Sequence, residues 1–211
     1  MSEPSTDSAA PPSRTRPDAG AVLRHVVDAA APPFTFLLLN NPWGARRAAL
    51  AALLVAVVIA ALRRYRGEPL GLVIASTGFV ALHSAGAVLM GEGRAFFLPE
   101  LIINVVALLV CAGSLLVGRP ITAVVCRKLG VTPDDSPRDR GAARRHLGLT
   151  AAWSAMWALH LLPLAYLYSI DSVAGLTVLG TFFNKPTLLA MAAATVFVER
   201  RATRAPATSA A

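Results

Sequence analysis

Five long runs without a formal charge constrain this chain more than any other feature: Ala29–Ala45, Ala48–Leu62, Pro69–Gly91, Leu101–Gly118 and Leu147–Ile170. A helix needs roughly 20 apolar residues to cross the hydrocarbon layer, and only closed backbone structures survive there. The third and fifth runs are long enough alone; the others reach the interfaces if flanking arginines snorkel. Only 15% of residues are charged, against about 25% in a soluble domain. The expected fold is all-α, a polytopic transmembrane bundle of about six helices, with five as the alternative.

The spans are placed near residues 30–39, 47–62, 70–90, 96–117, 145–168 and 181–198, inside a transmembrane domain over 25–200. Residues 1–24 and 201–211 read as disordered tails, and the first has no apolar core to serve as a cleavable signal. In the first span, Pro32-Pro33 interrupts the helix and Asn40-Asn41-Pro42 reads as a turn, so it either crosses or re-enters. The connector Arg119–Gly130 carries Ile121, Val124, Val125 and Leu129 at helical spacing beside Arg127 and Lys128. It is either a short helix on the inner leaflet or a frayed continuation of the fourth helix. Thr132–Pro137 then breaks the chain.

The net charge of +8 sits at the ends of the apolar runs. Six spans with the N-terminus inside put sixteen Lys and Arg on the inner side and three outside; five spans give thirteen against six. The positive-inside bias favours six, with both termini cytoplasmic, and either arrangement puts the 119–145 connector in the cytoplasm. Nucleic acid is not an expected partner, because basic and aromatic side chains do not interleave. Membrane lipids are, through their anionic headgroups. The 18 Arg to 2 Lys, with abundant Ala, suggest a GC-rich bacterial genome and hence a bacterial plasma membrane.

No phosphate-cradling loop, zinc-type histidine pair or nucleophile elbow is present. Cys111 and Cys126 give no disulfide framework or metal-ligand spacing, so no catalytic residue, metal or cofactor is expected. The candidates are polar residues at membrane depth, where burial is costly. Glu100 follows Pro99 in a helix-start pattern, and Lys185 follows Asn184, a candidate cap, in another. Both are expected near the outer ends of their helices, paired or sharing an outward-facing polar pocket. His83 and His160 lie mid-span, and Asn104 and Asn184 join them as interhelical hydrogen-bonding candidates. Gly71, Ala75, Gly78, Ala85 and Gly86 suit close helix contacts.

The stretch Phe96–Ile121, FFLPELIINVVALLVCAGSLLVGRPI, resembles an actinobacterial family of polytopic membrane proteins described only as a domain of unknown function. Ala31-Pro32-Pro33-Phe34 and Phe36–Leu39 fit the first helix of that family. More distantly, Arg119-Pro120, Leu129-Gly130, Ala151-Ala152-Trp153 and Phe183-Asn184-Lys185 resemble the intracellular septation protein A family, from which the chain departs at Glu100. These resemblances imply an envelope or cell-division role without catalysis, and they transfer no catalytic residue. A non-enzymatic envelope protein acting with membrane partners is the first reading. The others are a small transporter working as a homodimer, and a membrane-embedded enzyme acting on a lipid or isoprenoid.

Overall fold

The computed structural model of the chain describes residues 19–131 and 140–204, and among them all regular structure is helical. The Thr132–Pro137 break and most of both expected tails lie outside the described residues. Helix α1 spans Ala19–Trp43, α2 Ala45–Tyr65 and α3 Leu70–Met90. A 3-10 turn at Arg94–Phe97 leads into α4, Leu98–Leu116, followed by α5, Ile121–Lys128, and α6, Arg140–Ser169. The last helix runs unbroken from α7, Val173–Val178, through a π-helical turn at Leu179–Asn184 into α8, Lys185–Arg204. The bundle is thus the all-α architecture expected from the charge-free runs.

Helix α2 shows why lipid suits this fold. Its inner face is alanine, with Ala45, Ala48, Ala49, Ala52 and Ala56 all buried at helical spacing. Its outer face carries Leu50, Leu54, Val57 and Val58, each at least half exposed. A soluble protein would bury the large side chains; in a bilayer small residues let backbones approach while large apolar ones face the acyl chains. Among the described residues five segments are long and apolar enough to cross a membrane: Ala45–Tyr65, Val73–Met90, Arg94–Leu116, Arg140–Ser169 and Val173–Ala202.

Helix α1 departs from expectation. Pro32 and Pro33 do not interrupt it, and Asn40-Asn41-Pro42 is helical rather than a turn. The break falls at Gly44, whose φ of 78° lies in the left-handed region that glycine tolerates. Each proline costs one helical hydrogen bond, but leaving the helix in lipid would strand more. The Thr35 hydroxyl donates to the Ala31 carbonyl at 2.8 Å just beyond the proline pair. Helix α1 is therefore continuous, not re-entrant, and it follows α2 along its length: Gly44 joins them at one end and Arg66 Nη1 meets Asp28 Oδ2 at 3.2 Å near the other. Helix α1 is not one of the five segments above that are long and apolar enough to cross a membrane.

Other boundaries also shift. Helix α1 already includes residues 19–24 and α8 includes 201–204, both assigned to tails from sequence. Helix α6 begins at Arg140, and the last helix at Val173 rather than near residue 181. The Ser172 hydroxyl, accepting from the Gly175 N–H, caps that helix, so Asn184 is no cap. Connector 119–130 resolves as a separate helix: Gly118, at φ 68°, and Pro120 end α4, and the Ile121 N–H donates to Ser114 Oγ. Of the third-helix glycines, Gly86 is the one packed tightly, against the backbone carbonyl of Ala95, while Gly71 and Gly78 face open space.

The helices form two groups, α1–α3 and α4–α8. Phe36 and Phe96 stack across the junction with ring centroids 4.2 Å apart, and Phe34 meets Phe182 edge-on at 5.8 Å. Beside these rings the groups do not close completely.

Candidate functional site: a polar cavity between the two helix groups

Two chambers lie in that gap. The larger, about 220 Å³, is walled by α1, α2 and α3, with Lys185 of α8 reaching in from the other group. Its polar lining is Asp28, Arg63, Ser76, Thr77 and Lys185. The smaller, about 40 Å³, is lined by His83, Glu100, Gly180 and Lys185 among others. Ala29, Phe79, Val80 and Lys185 belong to both, so Lys185 stands on the shared wall.

The backbone prepares this place. Pro32 and Pro33 cannot donate to the carbonyls four residues back, those of Asp28 and Ala29, and both of those residues line the larger chamber. Across the gap, Pro186 follows the π-helical turn, the kind of single-turn irregularity that marks functional helices. The turn carries Gly180 against Glu100: a Cβ at Gly180 would come within 2.9 Å of Glu100 Oε2. The missing side chain is what makes room for the carboxylate.

Glu100 and Lys185 meet only half of their expectation. Both line the smaller chamber, but they form no ion pair. Glu100 Oε1 accepts from Asn184 Nδ2 at 2.8 Å, and Lys185 attracts it only through space. Glu100 keeps its place in the first turn of α4. Lys185 does not lie at the outer end of its helix. Because the helix starts at Val173, Lys185 is twelve residues in, about 18 Å along the axis. Among the described residues Lys185 makes no hydrogen bond and no ion pair.

His83 completes the smaller chamber. It is 4% exposed and packed on Phe79 and Phe96. Its Nε2 has no partner. Asn104 sits one turn beyond Glu100, donating Nδ2 to the Glu100 carbonyl at 2.8 Å. The Oδ1 atoms of Asn104 and Asn184 are also buried and unpartnered. The structure therefore gathers Glu100, Lys185, His83, Asn104 and Asn184 into one region.

His160 stands apart. Its Nε2 lies 2.7 Å from Thr187 Oγ1, which also lies 2.7 Å from the Phe183 carbonyl oxygen. His160 belongs to a stripe on α6, His146, Trp153 and His160, spaced by sevens along one face. Trp153 Nε1 donates to Thr195 Oγ1 at 3.0 Å. At the far end Glu199, fully buried, receives Arg145 Nε at 3.3 Å and lies 3.6 Å from His146 Nδ1. Three polar rungs thus tie α8 to α6.

Glu199 was not singled out from sequence, because in Val198-Glu199-Arg200-Arg201 it reads as a solvated helix end. Its spacing of four from Thr195 was the available signal. Arg63 reads from sequence as one of the topology arginines and Asp28 carries no sequence signal; both are paired, Asp28 with Arg66 and Arg63 with Glu68 at 2.7 Å, and Arg63 Nη1 also donates to Ser76. No cluster of three or more His, Cys, Asp or Glu able to hold a metal occurs among the described residues.

No curated protein and no solved structure matches the chain. A family model described as "Protein of unknown function (DUF3159)" matches residues 20–206, which include both helix groups and both chambers, and the chain belongs to that family.

Proposed function

We propose that the protein is a small, non-enzymatic carrier of the bacterial plasma membrane that takes a component of the cell envelope into the cavity around Lys185. One observation supports this above the others: a lysine deep in the bundle, without an ion pair, faces a chamber of about 220 Å³ between two helix groups. A charge at that depth is expensive and is retained where it meets a partner or a path. Many carriers place their sites at such junctions, against helices whose backbone is interrupted; here Pro32, Pro33, Pro186 and the π-helical turn interrupt it.

Both termini lie in the cytoplasm in this reading, following the sixteen-to-three distribution of Lys and Arg. The resemblance to septation protein A supplies the link to the envelope. Six helices are few for a carrier, so a homodimer is the expected working unit, alongside membrane lipids and envelope-synthesis partners. Efflux from liposomes tests the reading. Vesicles containing the protein are loaded with the small-molecule fraction of a bacterial extract, and what leaves is identified by mass spectrometry. At least one compound should be released by the native protein and retained by vesicles carrying Glu100→Gln. Identical release profiles from native, Glu100→Gln and protein-free vesicles would refute the carrier.

A further inference from the structure

Building on the carrier reading, we propose that its solute is a singly charged acid on an apolar chain, held by Lys185 in the larger chamber in competition with Glu100. The charge follows from the lining. Asp28 is matched by Arg66 and Arg63 by Glu68, which leaves Lys185 as the cation of the larger chamber that no carboxylate touches. One uncompensated positive charge in a site of low dielectric calls for one negative charge. The hydroxyl protons of Ser76 and Thr77 are committed to the Val73 carbonyl, and Ser76 also accepts from Arg63, so Lys185 is the group left to meet an acid.

The apolar chain follows from the rest of the wall, which is Ala56, Ile59, Ala60 and Val80 with Phe79 at the rim. Phe79 is 41% exposed, so the rim meets the lipid-facing surface and an acyl chain can pass out between helices. The acid group is a carboxylate or a phosphodiester, and its source a membrane amphiphile rather than a soluble anion.

The smaller chamber supplies the release. Beside Thr181 and Lys185, its lining offers two acceptors, the Glu100 carboxylate and His83 Nε2, which is buried without a partner. A neutral imidazole carries one lone pair, and at Nε2 an ammonium can use it. Lys185, on the wall between the chambers, can therefore turn to Glu100 and His83 when the larger chamber is empty and to the acid when it is filled. Glu100 is the built-in competitor for that cation.

Competition gives opposite signs for two substitutions, where a structural Glu100–Lys185 pair gives the same sign. The protein is placed in phosphatidylcholine nanodiscs and radiolabelled dodecanoate binding is measured by equilibrium dialysis against empty discs. Dodecanoate should bind saturably and acetate should compete poorly. Lys185→Gln should weaken binding on the order of tenfold or more, and Glu100→Gln should tighten it. If Lys185→Gln does not fold, Ala60→Phe, which fills the larger chamber, should abolish binding instead. Weakening by Glu100→Gln, no effect of Lys185→Gln or of Ala60→Phe, or equal competition by acetate would overturn the inference. Binding of dodecyltrimethylammonium in place of dodecanoate would overturn the acid while leaving the carrier standing, since efflux tests that separately.

Discussion

Two buried glutamates divide this bundle. Glu199, at the end where α5, α6 and α8 meet, is held by an arginine and a histidine: Arg145 and His146 reach one carboxylate oxygen, and Thr122, Thr150, Trp153 and Thr195 bond among themselves nearby. Glu100, at the start of α4, has one amide donor and an open chamber beside it, with Lys185 near but not touching. Cross-linking of that kind holds helices in register. An unfilled chamber bordered by unpartnered polar groups does not, and such groups persist when they serve a ligand. Glu199 Oε2 is itself buried without a hydrogen-bond partner, so neither burial nor one unsatisfied oxygen separates a structural from a functional carboxylate; the open chamber beside Glu100 does.

The largest expected effect is at the closed end. Glu199→Ala leaves the part-buried Arg145 without its carboxylate and should lower stability by about 2–3 kcal/mol, below the cost of breaking a fully buried pair, read as a fall in thermal midpoint of the detergent-solubilised protein. A midpoint unchanged from native would erase the contrast between the two ends. Gly180→Ala comes next, at about 1 kcal/mol, because the Glu100 carboxylate can swing away from the new Cβ. Efflux should nevertheless fall with the carboxylate displaced; native efflux from this variant would show that its position does not matter.

Thr187→Val removes the middle of the His160 hydrogen-bond chain and should cost about 0.6 kcal/mol, the average for an interhelical hydrogen bond, with efflux retained. Loss of efflux there would place His160 in the site after all. Glu100→Gln should be the mildest for the fold, under about 0.6 kcal/mol, since the amide oxygen can still accept from Asn184. It should also be the most severe for efflux. Thermal unfolding and efflux measured on the same preparation separate these two quantities.

Much of the fold was legible because lipid leaves few choices. Charge-free runs of this length must be helices, and α2 and α3 fall where those runs place them. What misled were residues whose local chemistry imitates a boundary. Asn184-Lys185-Pro186 has the pattern of a capped helix start, yet the chain is already helical from Val173, and the proline follows a π-helical turn that absorbs its missing donor. Pro32-Pro33 imitates a break in the same way.

The site was legible in part for a related reason. Glu100, Lys185 and His83 stand out because polar groups at membrane depth are costly, but the sequence pairs Glu100 with the nearest opposite charge. The structure gives it Asn184 and a glycine-shaped gap at Gly180. Arg63 is hidden as a topology charge at a helix end, Asp28 has no signal at all, and Glu199 sits among arginines. Each needs the neighbouring helix to show which way it faces.

The most direct test compares solvent access at the two ends. In a background with Cys111→Ala and Cys126→Ala, Thr77→Cys places a thiol in the larger chamber and Thr195→Cys places one in the closed cluster beside Glu199. Membranes carrying either protein are treated with a small charged methanethiosulfonate reagent, and modification is followed by mass. Thr77→Cys should be modified rapidly and Thr195→Cys should remain unmodified; equal rates at the two positions, or a Thr77→Cys protein inert to the reagent, would contradict a water-accessible chamber around Lys185.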